Sequence, residues 1–387
     1  MNCQKDLFSL PDTFHYLNCS YMSPLLKKVE EAGIQGIQSK RRPWETHPDN
    51  FFEDSETLRT LFARVIHAES NDVAILPSVS YGMATVAKNI NIKSGQNIIV
   101  AGEQFPSNIY PWHSLAQQTG CSVVTVHPPS ESKNRAKNWN SRILENINRD
   151  TALVALSHVH WTDGSLFDLV KISEAAHHEG ALFVIDGTQS VGALPFDINE
   201  IKPDALICAG YKWLMGPYSM ALGYFGSYFE NRTPLEEGWI VRAESEDFSQ
   251  LIHYQDDYQP GAIRYDVGER SNFILVPMMI EALKQILDWG VPSISDYISS
   301  LNRELIDLLA EYPFQFEDEQ WRAPHILGIR LPDSIPMDEP KKAALRVNDI
   351  SVSIRGNAVR VSPHVYNDSS DIQALAKVFK GLTTKSR

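Results

Sequence analysis

The sequence has few of the features that mark secreted, metal-binding or nucleotide-binding proteins. Only four of its 387 residues are cysteines, and no two of them form a Cys-x-x-Cys pair. We therefore expect reduced thiols in a cytoplasmic protein, without disulfides or a zinc site. No His-Glu-x-x-His or similar metal spacing occurs, nor does a Gly-x-Gly-x-x-Gly or Walker loop. Metal-dependent chemistry and these phosphate-binding loops are not expected.

Long hydrophobic runs and runs of basic charge are also missing. Apolar stretches such as residues 181–185 are far shorter than a membrane span. Residues 1–8 contain no apolar segment of the kind that a secretory signal needs. The net charge is -13, and no basic run is interleaved with aromatic residues. We expect neither a membrane nor a nucleic acid as a partner.

Short apolar strands alternate with helical patterns between about residues 72 and 226. This alternation predicts an α/β fold, in which helices cover both faces of a mainly parallel sheet. Helices are predicted to begin at Ser80, whose hydroxyl would cap the first turn, and at Pro106. The predicted strands are residues 73–76, 97–101, 122–126, 152–156, 181–185, 205–209 and 221–225.

The composition changes after Tyr228, where a polar stretch runs to about residue 260. The pattern of apolar residues after this stretch predicts a smaller α+β domain. Its predicted helices are 273–289, 294–311 and 371–379, and its predicted strands are 325–331, 350–354 and 358–361. We assign residues 21–245 to a large domain, and residues 1–20 with 246–387 to the small domain, in line with about 150 residues per domain.

Lys212 and Asp186 are the residues with the clearest chemistry. Asp186 ends the apolar strand 181–185, and Lys212 follows strand 205–209. The carboxyl ends of strands in an open α/β sheet face one crevice, so the two side chains can converge. Pyridoxal phosphate chemistry needs this pair, because the lysine forms a Schiff base and the carboxylate keeps the pyridine nitrogen protonated. A lysine near a strand end is more often a solvated surface residue. The flanking sequence is therefore needed to distinguish a Schiff-base lysine from a surface lysine.

The flanking residues resemble the class V aminotransferase family of fold type I pyridoxal-phosphate enzymes. The resemblance is most specific in 186–195 (Asp-Gly-Thr-Gln-Ser-Val-Gly-Ala-Leu-Pro) and 211–217 (Tyr-Lys-Trp-Leu-Met-Gly-Pro), and it extends loosely over most of the chain. It implies the fold type I architecture, a homodimer, Lys212 as the Schiff-base lysine and Asp186 beside the pyridinium nitrogen. It also implies that Gln189 lies near the phenolic oxygen of the cofactor ring.

The turn at residues 77–82 joins a predicted strand to a helix N-terminus, where backbone amides and the helix dipole favour an anion. The resemblance implies that Val79 and Ser80 bind the cofactor phosphate, with a further hydroxyl contact from Tyr211. The alternative for Ser80 is a plain helix cap. Phe105 is the candidate for stacking on the cofactor ring, and its alternative is a hydrophobic staple before the Pro106 helix.

An arginine is the expected partner of the substrate carboxylate, because its planar fork binds a carboxylate with two hydrogen bonds. Residues 358–367 resemble the family segment that contains this arginine, which implies that Arg360 binds the amino-acid carboxylate. The alternative is a solvated strand residue. Arg355 is a second cation nearby. Asp163 is a weaker candidate for contact with cofactor or substrate, since an Asp-Gly pair also fits a turn.

The reaction type is less clearly marked. Cysteine desulfurases carry a nucleophilic cysteine shortly before the arginine that binds the carboxylate, whereas residues 347–357 contain none. We predict a class V aminotransferase that acts on an α-amino acid. The alternatives are a pyridoxal-phosphate lyase of the kynureninase or cysteine desulfurase/selenocysteine lyase type, and a non-catalytic protein that retains the fold.

Overall fold

The computed structural model describes residues 1–129, 134–332, 334–355 and 358–383. Its α-helices are α1 Lys27–Ser39, α2 Glu53–Ile66, α3 Val79–Asn89, α4 Tyr110–Thr119, α5 Arg135–Asn146, α6 Leu169–His178, α7 Ile198–Ile201, α8 Leu275–Trp289, α9 Val291–Leu309, α10 Glu339–Val347 and α11 Ser369–Thr383. Its strands are β1 His15–Tyr16, β2 Val73–Leu76, β3 Asn97–Ala101, β4 Ser122–Val126, β5 Thr151–Ser157, β6 Leu182–Asp186, β7 Ala205–Ala209, β8 Ala221–Phe225, β9 Leu327–Arg330, β10 Ile350–Ser351, β11 Ser353–Arg355 and β12 Ala358–Val361.

Seven strands form the main sheet, in the order β2-β8-β7-β6-β5-β3-β4. Strand β8 is antiparallel to both of its neighbours, and the other pairs are parallel. Alternate residues of a strand face opposite sides, so Ile99 and Ala101 belong to one core and Ile98 and Val100 to the other. Helices α3 and α4 cover one face, while α2, α5, α6 and α8 cover the other. The predicted α/β architecture is confirmed.

A third core lies against a three-stranded antiparallel sheet in the order β11-β12-β9. Helices α9 and α11 pack on it, and Leu17 joins it from the other end of the chain. Strand β1 pairs with β10, and the amide of Cys19 donates to the carbonyl of Ser362 at 3.0 Å. The predicted smaller α+β part is confirmed, and the division between 21–245 and the remaining residues stays a prediction. Among the residues that the structure describes, no helix has both the length and the apolar character to cross a membrane.

Several element boundaries differ from the prediction for local reasons. Ser78, and not Ser80, caps α3, because its hydroxyl accepts from the Tyr81 amide at 3.1 Å. Pro106 opens only a short 3-10 turn, and α4 begins at Tyr110. The single strand predicted over 350–354 is two strands. The chain changes sheet at Val352, since β10 pairs with β1 and β11 pairs with β12.

A buried carboxylate ties β2 to the layers around it. Asp266 accepts from the amide of Ile75 at 2.7 Å, from Arg59 of α2 at 2.9 Å and from Arg270 at 2.7 Å. The side chains of Asp266 and Arg270 are completely shielded from solvent and that of Arg59 is nearly so. Since β2 leads directly to the turn at Ser78, this ion pair network fixes the start of α3.

We expect Asp266→Asn to lower the free energy of unfolding by about 3–5 kcal/mol, because it leaves two buried guanidinium groups with only the half-exposed Glu56 as a counter-charge. Urea denaturation measures the loss. The matched control is Asp12→Asn, whose carboxylate is 96% exposed and should change stability by less than about 0.5 kcal/mol. Equal stability of the two variants would contradict a structural role for the network.

Three buried imidazoles form what we call the histidine cluster, His158, His325 and His364. His325 donates from Nε2 to the carbonyl of Gln189 at 2.6 Å, and its ring lies 4.5 Å from that of Trp213. Neither ring nitrogen of His364 has a hydrogen-bond partner among the described residues. Burial lowers the pKa of His158 and His364 to about 3 and that of His325 to about 4. All three rings are therefore neutral in the folded protein at pH 7.

The histidine cluster should make the protein acid-labile. The folded-state pKa values lie below the ordinary value of about 6.5, so the unfolded chain binds more protons and stability falls as pH drops below 6.5. Each histidine should contribute a loss of about 2 kcal/mol between pH 7 and pH 5. His364→Phe should reduce this pH-dependent loss by about that amount in urea denaturation. His178→Gln, at an imidazole that is 84% exposed, should leave it unchanged.

Candidate functional site

A cavity of about 330 Å³ opens at the carboxyl ends of β2, β3, β5, β6 and β7, and we call it the inner cavity. Strand β8 runs the other way and contributes at its start, through Met220. The structure brings seven predicted residues to its wall: Val79, Ser80, Phe105, Asp186, Gln189, Tyr211 and Lys212. The volume is within the range of small-ligand sites.

Lys212 lies on the loop that follows β7. Gly210 begins this loop, and its amide donates to the carbonyl of Met220 at 2.8 Å. The Lys212 side chain is nearly buried, with Nζ 5.5 Å from the ring centre of Tyr211 and 5.7 Å from that of Phe105. Burial lowers the pKa of Lys212 to about 8, although Asp186 opposes the shift. About a tenth of this amine is therefore uncharged at pH 7, far more than for an ordinary lysine.

Asp186 ends β6, next to the strand that leads to Lys212. Its carboxylate accepts from the amide of Thr188 at 2.9 Å. Burial raises the pKa of Asp186, and the hydrogen bonds from Thr188 and the charge of Lys212 only partly oppose the shift. The Thr188 hydroxyl also accepts from the amide of Ala209 at 3.1 Å, which joins the two strand ends. Sequence reasoning did not single out Thr188, although it lies two residues after the predicted carboxylate.

The N-terminus of α3 forms another part of the wall of the inner cavity. Val79 and Ser80 are the first two residues of this helix, and the Ser80 hydroxyl lies 3.0 Å from that of Ser78. First-turn amides have no acceptor within the helix, and they carry the positive end of its dipole. This wall therefore favours a phosphate group.

The side-chain amide of Gln189 connects two segments of the chain beside the inner cavity. Its side-chain nitrogen donates to the carbonyl of Ser20 at 3.1 Å, and its side-chain oxygen accepts from Trp213 at 2.9 Å. The amide therefore links the N-terminal segment to the loop of Lys212. Phe105 is 42% exposed, and its ring meets that of Trp161 edge to face at 5.6 Å.

Arg360 is close to the inner cavity but does not line it. It is 1% exposed, and it donates to the carbonyl of Trp161 at 2.5 Å and to the hydroxyl of Ser353 at 3.2 Å. Burial, with the nearby charge of Arg355, lowers the pKa of Arg360 to about 9. Asp163 lies farther away, where Arg135 donates to it at 3.3 Å. Arg360 therefore lies against the backbone of Trp161 and outside the lining of the inner cavity.

Two buried polar atoms of the inner cavity wall lack partners among the described residues. They are Nε2 of Gln104 and Oγ of Ser157. Ser157 ends β5, so its place at a strand end is the signal that sequence reasoning missed. These groups, the incompletely compensated Asp186 and the helix N-terminus fit a ligand with a phosphate, a ring hydroxyl and a protonated ring nitrogen. Pyridoxal phosphate has all three.

Comparisons with known proteins point to the same cofactor. Residues 41–375 match the sequence model of the class V aminotransferases. An uncharacterized aminotransferase of Bacillus subtilis is 26% identical over an alignment of 374 residues, with 95% of this chain and 94% of that protein covered. A kynureninase of Geobacillus thermodenitrificans is 22% identical, with 97% of this chain and 90% of that protein covered.

Solved structures share the fold. The apo cysteine desulfurase of Thermococcus onnurineus superimposes with a TM-score of 0.83 at 21% identity, covering 99% of this chain and 98% of that one. A mutant of C-DES with glycine covalently linked to its PLP cofactor gives a TM-score of 0.81 at 16% identity, covering 97% and 98%. The family match extends over most of the sequence, and the inner cavity fits the cofactor. The chain belongs to the class V aminotransferases, a family of pyridoxal-phosphate enzymes.

Proposed function

We propose that the protein is a pyridoxal-phosphate-dependent aminotransferase that acts on an α-amino acid. One observation carries this proposal. Asp186 ends β6, and Lys212 follows the adjacent parallel strand β7. Both side chains line the inner cavity. An amine and a carboxylate in one buried crevice match the two ends of the cofactor ring system.

When bound, pyridoxal phosphate supplies an electron-accepting ring that stabilises negative charge at the substrate Cα. Asp186 would lie beside the ring nitrogen and keep it protonated, since a buried carboxylate favours a positive charge beside it. Lys212 would hold the cofactor through its aldehyde, with loss of water. Once a substrate amine has displaced Lys212, its free amine would accept and return the Cα proton. Its pKa of about 8 lets the amine accept and return a proton near neutral pH.

The remaining predicted residues would bind the cofactor and orient the substrate. Val79 and Ser80, with Tyr211, would hold the phosphate, and Phe105 would pack against the ring. Gln189 would be the residue nearest the phenolic oxygen. Arg360 would orient the substrate carboxylate, since its Nε lacks a partner among the described residues. Because Arg360 does not line the inner cavity, this role requires a side chain at the cavity wall to move when substrate binds.

The cysteine content argues against desulfuration. Residues 347–357 contain no cysteine. Cys19 lies near Lys212 and Arg360, but burial raises the pKa of its thiol to about 12, so it stays protonated. A persulfide relay needs a thiolate, and neither place provides one.

A lyase of the kynureninase type is the second candidate. A kynureninase covers 97% of this chain, and the Phe105 and Trp161 rings offer an aromatic wall to a substrate side chain. Such an enzyme cleaves a bond in the side chain and needs no keto acid. A non-catalytic protein would have no use for a buried lysine whose pKa is lowered.

Borohydride reduction of the cofactor-loaded protein should leave a phosphopyridoxyl group on the peptide that contains Lys212, as read by mass spectrometry. Lys212→Ala should lose this label, the absorbance at about 400–430 nm, and at least about 10²-fold in turnover. Lys137→Ala, at an exposed lysine, should keep all three. A label on another lysine with Lys212 unmodified would contradict the proposed site.

A panel of α-amino acids, assayed with and without a keto acid, separates the candidate reactions. For an aminotransferase we expect turnover that requires the keto acid and that produces a second amino acid in equal amount. Release of a side-chain fragment without a keto acid would establish the lyase instead. A loaded protein whose absorbance no amino acid changes would favour the non-catalytic alternative.

A further inference from the structure

A second cavity of about 650 Å³ lies beside the inner cavity, and we call it the outer cavity. Trp161 and Gln104 line both cavities, so they form the shared wall. The outer cavity is rich in charged side chains: Glu103, Arg135, Asp163, Arg330 and Arg355. A substrate that extends from Lys212 past Trp161 would therefore meet charged groups.

Four of these charges pair with one another. Asp163 forms ion pairs with Arg135 at 3.3 Å and with Arg330. Arg135 also reaches Glu103 at 3.3 Å. Two carboxylates are thus matched by two guanidinium groups, which leaves the charge of Arg355 without a counter-charge among the described residues that line the outer cavity.

Arg355 has no ion pair within the part of the chain that the structure describes. Its guanidinium lies 5.3 Å from the ring centre of Trp161 and donates to the carbonyl of Ile354 at 2.9 Å. Its Nε is buried and has no hydrogen-bond partner in the described ranges. The side chain is therefore positioned by the shared wall, with donors left for an anion.

The surrounding charge increases the need for an anion. Arg360, which donates to the carbonyl of Trp161, also lacks a carboxylate partner among the residues described. The charges of Arg355 and Arg360 both act on Lys212, and Asp186 is the carboxylate that opposes them there. Positive charges held together out of water are costly unless a ligand brings negative charge.

We propose that the substrate is an amino dicarboxylic acid, and that Arg355 binds its distal carboxylate at the shared wall. This rests on the proposed function, in which Arg360 binds the α-carboxylate. An aspartate-like or glutamate-like substrate supplies one carboxylate to each uncompensated guanidinium. A neutral aromatic side chain would fill space against Trp161 but would leave Arg355 without a counter-charge.

Binding of substrate-like acids tests the subsite without turnover. In calorimetric titrations of the cofactor-loaded protein, succinate and glutarate should bind at least about tenfold more tightly than propionate and butyrate, because a charge-assisted bidentate contact is added. Arg355→Gln should reduce this advantage to less than about threefold, and Arg355→Lys should retain part of it. Arg149→Gln, at a side chain that is 90% exposed, is the matched control and should retain all of it.

Turnover supplies the second readout. The ratio of kcat/KM for L-glutamate over L-glutamine, or for L-aspartate over L-asparagine, should exceed about tenfold and should fall towards one in Arg355→Gln. The cofactor absorbance and Tm of that variant confirm that it folds. Equal turnover of acids and amides, with diacids binding no better than monoacids, overturns the proposal and leaves the proposed function standing. If no amino acid is turned over, the proposed function fails, and the titrations alone decide whether Arg355 forms a diacid site.

Discussion

The burial of Asp186 and Lys212 at neighbouring strand ends is the constraint on which the site depends. Burial pushes each group towards its neutral form, raising the pKa of the carboxylate and lowering that of the amine. The interactions around them hold this costly arrangement in place. Thr188 joins the two strand ends, and Gln189 braces the lysine loop through Trp213. A cofactor that places positive charge beside the acid and takes up the amine covalently relieves both costs.

The electrostatics of the site are opposite in sign to those of the whole chain. The protein carries a net charge of -13, whereas Lys212, Arg355 and Arg360 act on one another around Trp161. The negative surface tends to keep anions away from the protein at large, and the local cations attract them at short range. Anionic ligands are thus selected at the site itself.

The sequence predicted the sheet well and the side-chain surroundings poorly, for a physical reason. Strands such as 97–101 and 205–209 are continuous apolar runs, and the structure has them with the same bounds. Asp186 and Lys212 could be paired because carboxyl ends of parallel strands share an edge. The contact of Arg360 with the backbone of Trp161 depends on packing between segments far apart in the chain. No local sequence pattern encodes this contact.

The exact ends of helices and strands were also poorly predicted from local sequence. Ser78 and Ser80 are both good capping residues, and only the backbone geometry at Ser78 selects the first. The break at Val352 has no local signal, because it follows from which sheet each half of the segment joins. The resemblance to a known family gave the cofactor. Ser157 had a signal in its position at the end of β5, whereas the unpartnered side chain of Gln104 became visible only in three dimensions.

The contact between the two ends of the chain has a consequence for biosynthesis. The amide of Cys19 bonds to Ser362, and the side chain of Gln189 bonds to Ser20. A ribosome makes residue 20 long before residue 362, and contacts of such sequence separation form late in folding. The sheet from β2 to β8 can assemble on the nascent chain, whereas the N-terminal segment can bond to Ser362 only once that later part of the chain has been made. The contact between the two ends of the chain is therefore among the last to form.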